Sequence, residues 1–187
     1  MTASANHLTS EALQQGLAEV ILSPKDNGPL EAIFVRPQVD ERQTLTTAKL
    51  STEGGIDGDS WKTDHWKLLP DGQPDPQSQV SLMNSRILRL ISGGEEAMSL
   101  SGDNLIVDLD LSEENFPVGS RLQIGNKVVL EFTEQPHTGC GKFSVRYGAA
   151  ALEFINGPQG QPLNLRGRYA QIVSGGTIQV GDSAKKN

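Results

Sequence analysis

The spacing of apolar positions changes several times along the chain and marks out short elements. Ser10, followed by Glu11, Ala12, Leu13, Gln14 and Gln15, predicts one short capped helix ending near Gly16. Residues 17–22 (LAEVIL) alternate in part, and residues 30–35 (LEAIFV) follow after Ser23, Pro24, Asn27, Gly28 and Pro29. Two apolar runs around a Pro/Gly/Asn cluster predict an opening hairpin, with Pro37 ending it. Residues 44–50 (TLTTAKL) form a third strand candidate, residues 80–82 a short apolar one, and residues 105–109 another. Asn84 is placed to cap a helix over residues 86–91, which Gly93 and Gly94 stop. Residues 121–124 and 127–133 alternate around Gly125 and Asn126, the clearest hairpin in the chain. Val145, Ala149, Leu152 and Ile155 recur at helical spacing, so residues 144–155 read as one helix stopped by Gly157 and Pro158. Strands over residues 169–173 and 177–180, joined through Ser174, Gly175 and Gly176, complete the pattern.

About eight or nine short strands with two or three helices predict a mainly β fold, a barrel with embellishments. Few helical stretches link successive strands, which argues against a doubly wound parallel sheet. At 187 residues the chain suits a single domain of roughly 150 residues. The expected organisation is a flexible tail over residues 1–16, one barrel over 17–183 and a short tail over 184–187.

Residues 51–79 stand apart. They hold five Asp, four Gly and three Pro, which predicts a long loop with little regular structure. The same stretch carries both tryptophans, Trp61 and Trp66, with Asp64 and His65 between them. Two indole rings in an acidic, Pro-rich loop need an apolar surface to cover, so the loop is expected to fold back over the body.

Composition narrows the function. A net charge of -7 leaves no broad basic face for a nucleic acid. No apolar run reaches the roughly 20 residues that cross a bilayer, and the first 15 residues resemble neither a secretory signal nor a transit peptide. A cytoplasmic protein follows as the expectation. The single cysteine excludes an internal disulfide and a multi-cysteine zinc or iron–sulfur site.

That cysteine, Cys140, is the candidate nucleophile or soft metal ligand. It lies between Gly139 and Gly141, in a turn that leaves a strand and approaches a helix. His137, Lys142 and the coming helix start can each favour its thiolate, so a reactive and partly exposed sulfur is expected. Lys142 and Arg146 are four residues apart, and a helix reaching back to Lys142 would place two cations on one face as an anion site. Asp103 and Asn104 follow Gly102 at the entrance to a strand, where they either hydrogen-bond a ligand or cap the turn. Gly54, Gly55, Ile56, Asp57, Gly58 and Asp59 form an acidic turn without the ligand spacing of an EF-hand.

Taken in order, these segments resemble the MOSC domain (molybdenum cofactor sulfurase C-terminal domain). The residues that carry the resemblance are Gly55 to Asp59 as just quoted, then Gly102, Asp103, Asn104, Leu105, Ile106 and Val107. Pro117, Val118 and Gly119 through to Ile124 and Gly125 come next. Cys140, Gly141 and Lys142 follow, with Arg146, Tyr147 and Gly148, and Gly175 through Asp182 closes the series. The resemblance spans residues 17–183.

It implies a closed, Greek-key-like β-barrel of the MOSC or pyruvate-kinase-barrel-like type. It further implies a pocket around Cys140 that binds molybdenum as its pterin cofactor, with Cys140 as catalytic residue and metal ligand. Lys142, Arg146, His137, Asp103, Asn104 and Asp59 are the implied cofactor-binding residues. Some relatives reduce N-hydroxylated compounds; such a reaction here needs a separate electron-donor protein. The alternative is a non-catalytic sulfur carrier, with a persulfide on Cys140 filled by a sulfur-donor protein. Pyridoxal phosphate, which belongs to a separate domain of larger fusions, is not expected. Two departures fall at the pocket: Asp103 stands where many relatives have Glu, and Pro136, His137, Thr138 and Gly139 precede the cysteine where many carry Arg or another Pro.

Overall fold

A computed structural model describes residues 7–64 and 67–187, except the side chain of residue 96. Its first element is a helix, α1 (Ser10–Ile21), capped by the Thr9 hydroxyl, which accepts the Ala12 N–H. The helix runs through the segment expected to be a first strand. Leu13, Leu17 and Val20 are the reason: they recur at helical spacing and are all buried on one face. Gly16 is therefore no stop signal. A Cβ there would meet Leu90 Cδ1 at 2.3 Å, so glycine lets α1 lie close against the next helix.

The barrel begins with β1 (Gly28–Val35), whose Val35 end pairs with β2 (Gln43–Leu45). β3 (Thr47–Ser51) and β4 (Gly55–Ile56) belong to a separate small sheet, so the strand expected over residues 44–50 divides at Thr46. β5 (Val80–Asn84) leads into α2 (Ser85–Ser92), and β6 (Leu105–Val107) returns parallel to β5. Parallel neighbours need a long crossover, which α2 and the 3-10 turns after it provide. β7 (Arg121–Ile124) and β8 (Val128–Phe132) form the anticipated hairpin.

The helix expected over residues 144–155 is two helices, α3 (Gly141–Tyr147) and α4 (Ala149–Asn156). Gly148 separates them with φ +95°, a conformation that favours glycine. β9 (Arg168–Ser174) completes the wall beside β8 and β5. β10 (Gly176–Gln179) joins β3 in the small sheet.

Residues 184–187 are not a tail. β11 (Ser183–Lys186) pairs with both β1 and β7, placing Ala184 opposite Gly28 on one side and Ile124 on the other. That double pairing closes a seven-stranded mixed barrel in the order β1, β11, β7, β8, β9, β5, β6, with β2 added to β1.

Strand alternation divides the apolar residues between two cores. Leu30, Ile33, Val35, Leu82, Leu105 and Val107 point into the barrel with Leu122, Leu130 and Ile172. Phe34, Met83 and Ile106 point outward, where α1, α2, α3 and α4 cover them with Leu13, Ile87 and Tyr147. Such two-sided burial explains why all five residues of β5 are buried.

Candidate functional site

The site lies at one rim of the barrel. There β1 ends and its neighbours β6 and β5 begin, and residues just before β9 reach the same cleft. A cleft of about 460 Å³ opens at this rim, lined among others by Arg36, Arg42, Trp61, His137, Cys140 and Arg166. The loop over residues 51–79 does fold back over the body, and its Trp61 reaches the lining that holds Cys140, with the ring buried against Gly55. It also carries β4 and two 3-10 turns. Trp66 and His65 lie outside the described residues.

Cys140 is exposed and immediately precedes α3. The Phe143 N–H, which faces the sulfur, does most to hold the thiol below its ordinary pKa. Partial burial opposes it, while the Lys142 N–H, Arg166 and Arg146 act in the same direction as Phe143. Two sources of positive charge expected from sequence are thereby replaced. His137 is buried, and loss of solvation, reinforced by Arg166 and Arg36, keeps its pKa well below the usual value. At neutral pH it is an uncharged imidazole. Lys142 acts on the sulfur through its backbone, because its ammonium turns to Asp40 at 3.2 Å.

Arg146 and Lys142 do share a face of α3. Both reach the same oxygen of Asp40 at 3.2 Å, and Arg146 also donates to the Leu100 carbonyl at 2.8 Å. Asp103 lies beneath the cleft, wholly buried, with Oδ2 2.7 Å from Arg166 Nη1. Its Oδ1 is 3.6 Å from His137 Nε2, too far for a hydrogen bond. Asp59 and Asn104 do not line the cleft themselves: both hold Arg36, and Asp59 also accepts the Trp61 N–H at 3.1 Å. The Asp59 carboxylate takes Arg36 Nε and Nη2 at 3.0 and 2.9 Å. Asn104 accepts from Arg36 and Ser81 and donates to Asp59 and the Phe34 carbonyl, which engages both ends of its amide. These two residues brace the rim.

Five buried side-chain atoms among the described residues have no hydrogen-bond partner: Arg42 Nε, Trp61 Nε1, Asp103 Oδ1, His137 Nδ1 and Arg166 Nε. Four belong to residues that line this cleft, and the fifth belongs to Asp103, against two of them. Native proteins leave few buried polar atoms unpaired, so a cluster of them in one place marks groups whose partner is a water, an ion or a ligand. A second cleft of about 280 Å³, near Val20, Asn84 and Leu165, is lined by none of those five residues.

Sequence reasoning had not found Arg36, Asp40, Arg42 and Arg166. A cation directly after an apolar strand (Arg36, then Pro37) and a cation before a strand (Arg166, then Gly167) were the available signals.

The profile of the MOSC domain matches residues 73–185. The chain belongs to the MOSC domain family. The matched segment contains Cys140 and Gly102–Val107 motif residues, while the acidic turn ending at Asp59 precedes it. No curated protein matches the chain. Its fold is similar to the crystal structure of the YuaD protein from Bacillus subtilis, with TM-score 0.61 and 16% identity over 86% of this chain and 95% of that one. YiiM from Escherichia coli is similar with TM-score 0.56 and 13% identity, covering 86% and 69%. YiiM from Geobacillus stearothermophilus gives 0.51 and 13%, covering 88% and 74%. At these identities the likeness concerns the fold. The MOSC family is associated with molybdenum cofactor binding. No helix among the described residues is long and apolar enough to cross a membrane.

Proposed function

We propose that the rim cleft binds the molybdenum cofactor, with Cys140 as the protein's ligand to the metal. The observation that carries this reading is one accessible thiol in a cleft that four residues with unpartnered buried polar atoms also line. The donor set fits the group. A thiolate is a soft ligand suited to molybdenum, and a pterin with a phosphate offers acceptors for arginine and indole N–H groups. Among the described residues no three His, Cys, Asp or Glu side chains converge as a metal cage, so a metal here arrives with ligands of its own.

When bound, the cofactor supplies a redox centre for two-electron chemistry, such as reduction of an N-hydroxylated substrate with electrons from a separate protein. The chain's own residues have simpler tasks. Cys140 offers a thiol whose ionisation the Phe143 and Lys142 N–H groups favour. Arg42, Arg166 and Trp61 line the cleft that receives the cofactor. His137, neutral and buried, presents Nδ1 as donor or acceptor according to its tautomer. Lys142 and Arg146 receive the phosphate.

Metal analysis of protein purified from a cofactor-producing host tests the reading. Near-stoichiometric molybdenum is expected in the wild type, and its loss in Cys140→Ser. Equal molybdenum in both, or none in either, overturns it. The exposure of Cys140 also favours a second reading, a sulfur carrier. Intact-mass analysis then finds a persulfide sulfur on Cys140 in metal-free protein.

A further inference from the structure

Residues 37–41 form a strap between β1 and β2 without regular structure, and Gln38, Val39 and Asp40 line the cleft. Hydrogen bonds from the strap to α3 all go to one atom, Asp40 Oδ1, which takes both Lys142 Nζ and Arg146 Nη2 at 3.2 Å. Asp40 holds this position in a left-handed conformation, φ +61°, which costs free energy in a residue with a Cβ. Its side chain remains 62% exposed. Arg42, at the end of the same strap, makes no ion pair among the described residues and keeps a buried Nε without a partner. It lines the cleft together with Asp40 and Lys142, and its charge acts on the Asp40 carboxylate. One carboxylate therefore faces three cations, and long, exposed ion pairs of this kind are weak.

We propose that Lys142, Arg146 and Arg42 form an oxyanion subsite at the cleft mouth, that Asp40 is its built-in occupant, and that a ligand's phosphate or similar oxyanion enters by displacing the Asp40 carboxylate. This rests on the reading of the cleft as the ligand site and adds a regulation to it. The strap is clasped while the subsite holds Asp40 and released when an external anion replaces it. Affinity for anionic ligands is thereby set below what the three cations alone would give.

The test is a titration with inorganic phosphate, followed by amide NMR shifts of residues 141–147. Wild-type protein is expected to bind phosphate weakly and saturably, with sulfate competing and chloride at equal ionic strength not competing. Asp40→Asn should lower the phosphate Kd by roughly two- to fivefold, the range for one exposed ion pair. Glu41→Gln removes the same charge one residue away without touching Lys142 or Arg146, and should leave the Kd within that of wild type. Arg146→Gln should abolish saturable binding. Equal Kd values for Asp40→Asn and wild type, or an equal shift in Glu41→Gln, would overturn the proposal. None of these outcomes depends on molybdenum content, so failure of the cofactor reading is seen separately.

Discussion

Asp103 gives one carboxylate oxygen to Arg166 at 2.7 Å and leaves the other, Oδ1, without a donor. Both side chains are buried, so the pair is worth less as a stabiliser than as a constraint: breaking it strands a charge. Asp103→Asn should lower stability by about 3–5 kcal/mol in a urea titration. Asp103→Ala combined with Arg166→Met should cost less than the sum of the two single changes, because no lone charge then remains.

Cys140 should react at lower pH in the folded protein than in the unfolded chain. Its pKa is depressed in the fold, so the thiolate is already present at pH values where an ordinary thiol is protonated. Alkylation by iodoacetamide between pH 5 and 9, in buffer and in urea, measures the difference. An identical pH midpoint in the two conditions would refute it.

Asp59 should make the fold sensitive to acid. Its carboxylate is buried, which alone would raise the pKa, but the hydrogen bonds and charge of Arg36 outweigh burial and lower it. The folded value therefore lies below the ordinary 3.8. The resulting stability is present above that ordinary value and is lost as pH falls through the folded one. Asp59→Asn should unfold at lower denaturant than wild type near neutrality, by roughly 3 kcal/mol for a broken, mostly buried pair. The gap should narrow below about pH 4.

Gly167 fixes the chain between Arg166 and Arg168. A Cβ there would stand 2.2 Å from the Leu82 carbonyl oxygen, and φ is +94°. Neither backbone can yield without moving β5 or β9. Gly167→Ala should cost roughly 3 kcal/mol or more in thermal unfolding, combining overpacking with a strained φ.

Much of the barrel was legible where one short segment holds its own instructions. Residues 121–133 alternate around Gly125, which takes φ +60°, and Asn84 with Gly93 brackets α2 as a cap pair should. α1 was misread because its second half shows partial alternation, and the helical burial of Leu13, Leu17 and Val20 is decided by packing against α2 and α4. β11 was invisible because only Ala184 in SAKK is buried, so no apolar pattern announces a strand whose partner is Gly28. Within the site, Cys140, His137, Lys142 and Arg146 are local neighbours and could be read together. Arg36, Asp40, Arg42 and Arg166 flank other strands, and only the side-by-side pairing of β9, β5, β6, β1 and β2 brings them to the same cleft.

The seam between β1 and β11 joins residues from opposite ends of the chain, Gly28 to Ala184. Loop closure over that distance must precede any reward from the pairing, so ring closure is expected to be the slow event in folding. Until it happens, β1 and β7 each present an unpaired edge at their β11 side, and such edges are templates for joining another chain. Expression yield and aggregation should therefore respond to changes at residues 183–186, far from the cleft, more than to changes at Cys140 itself.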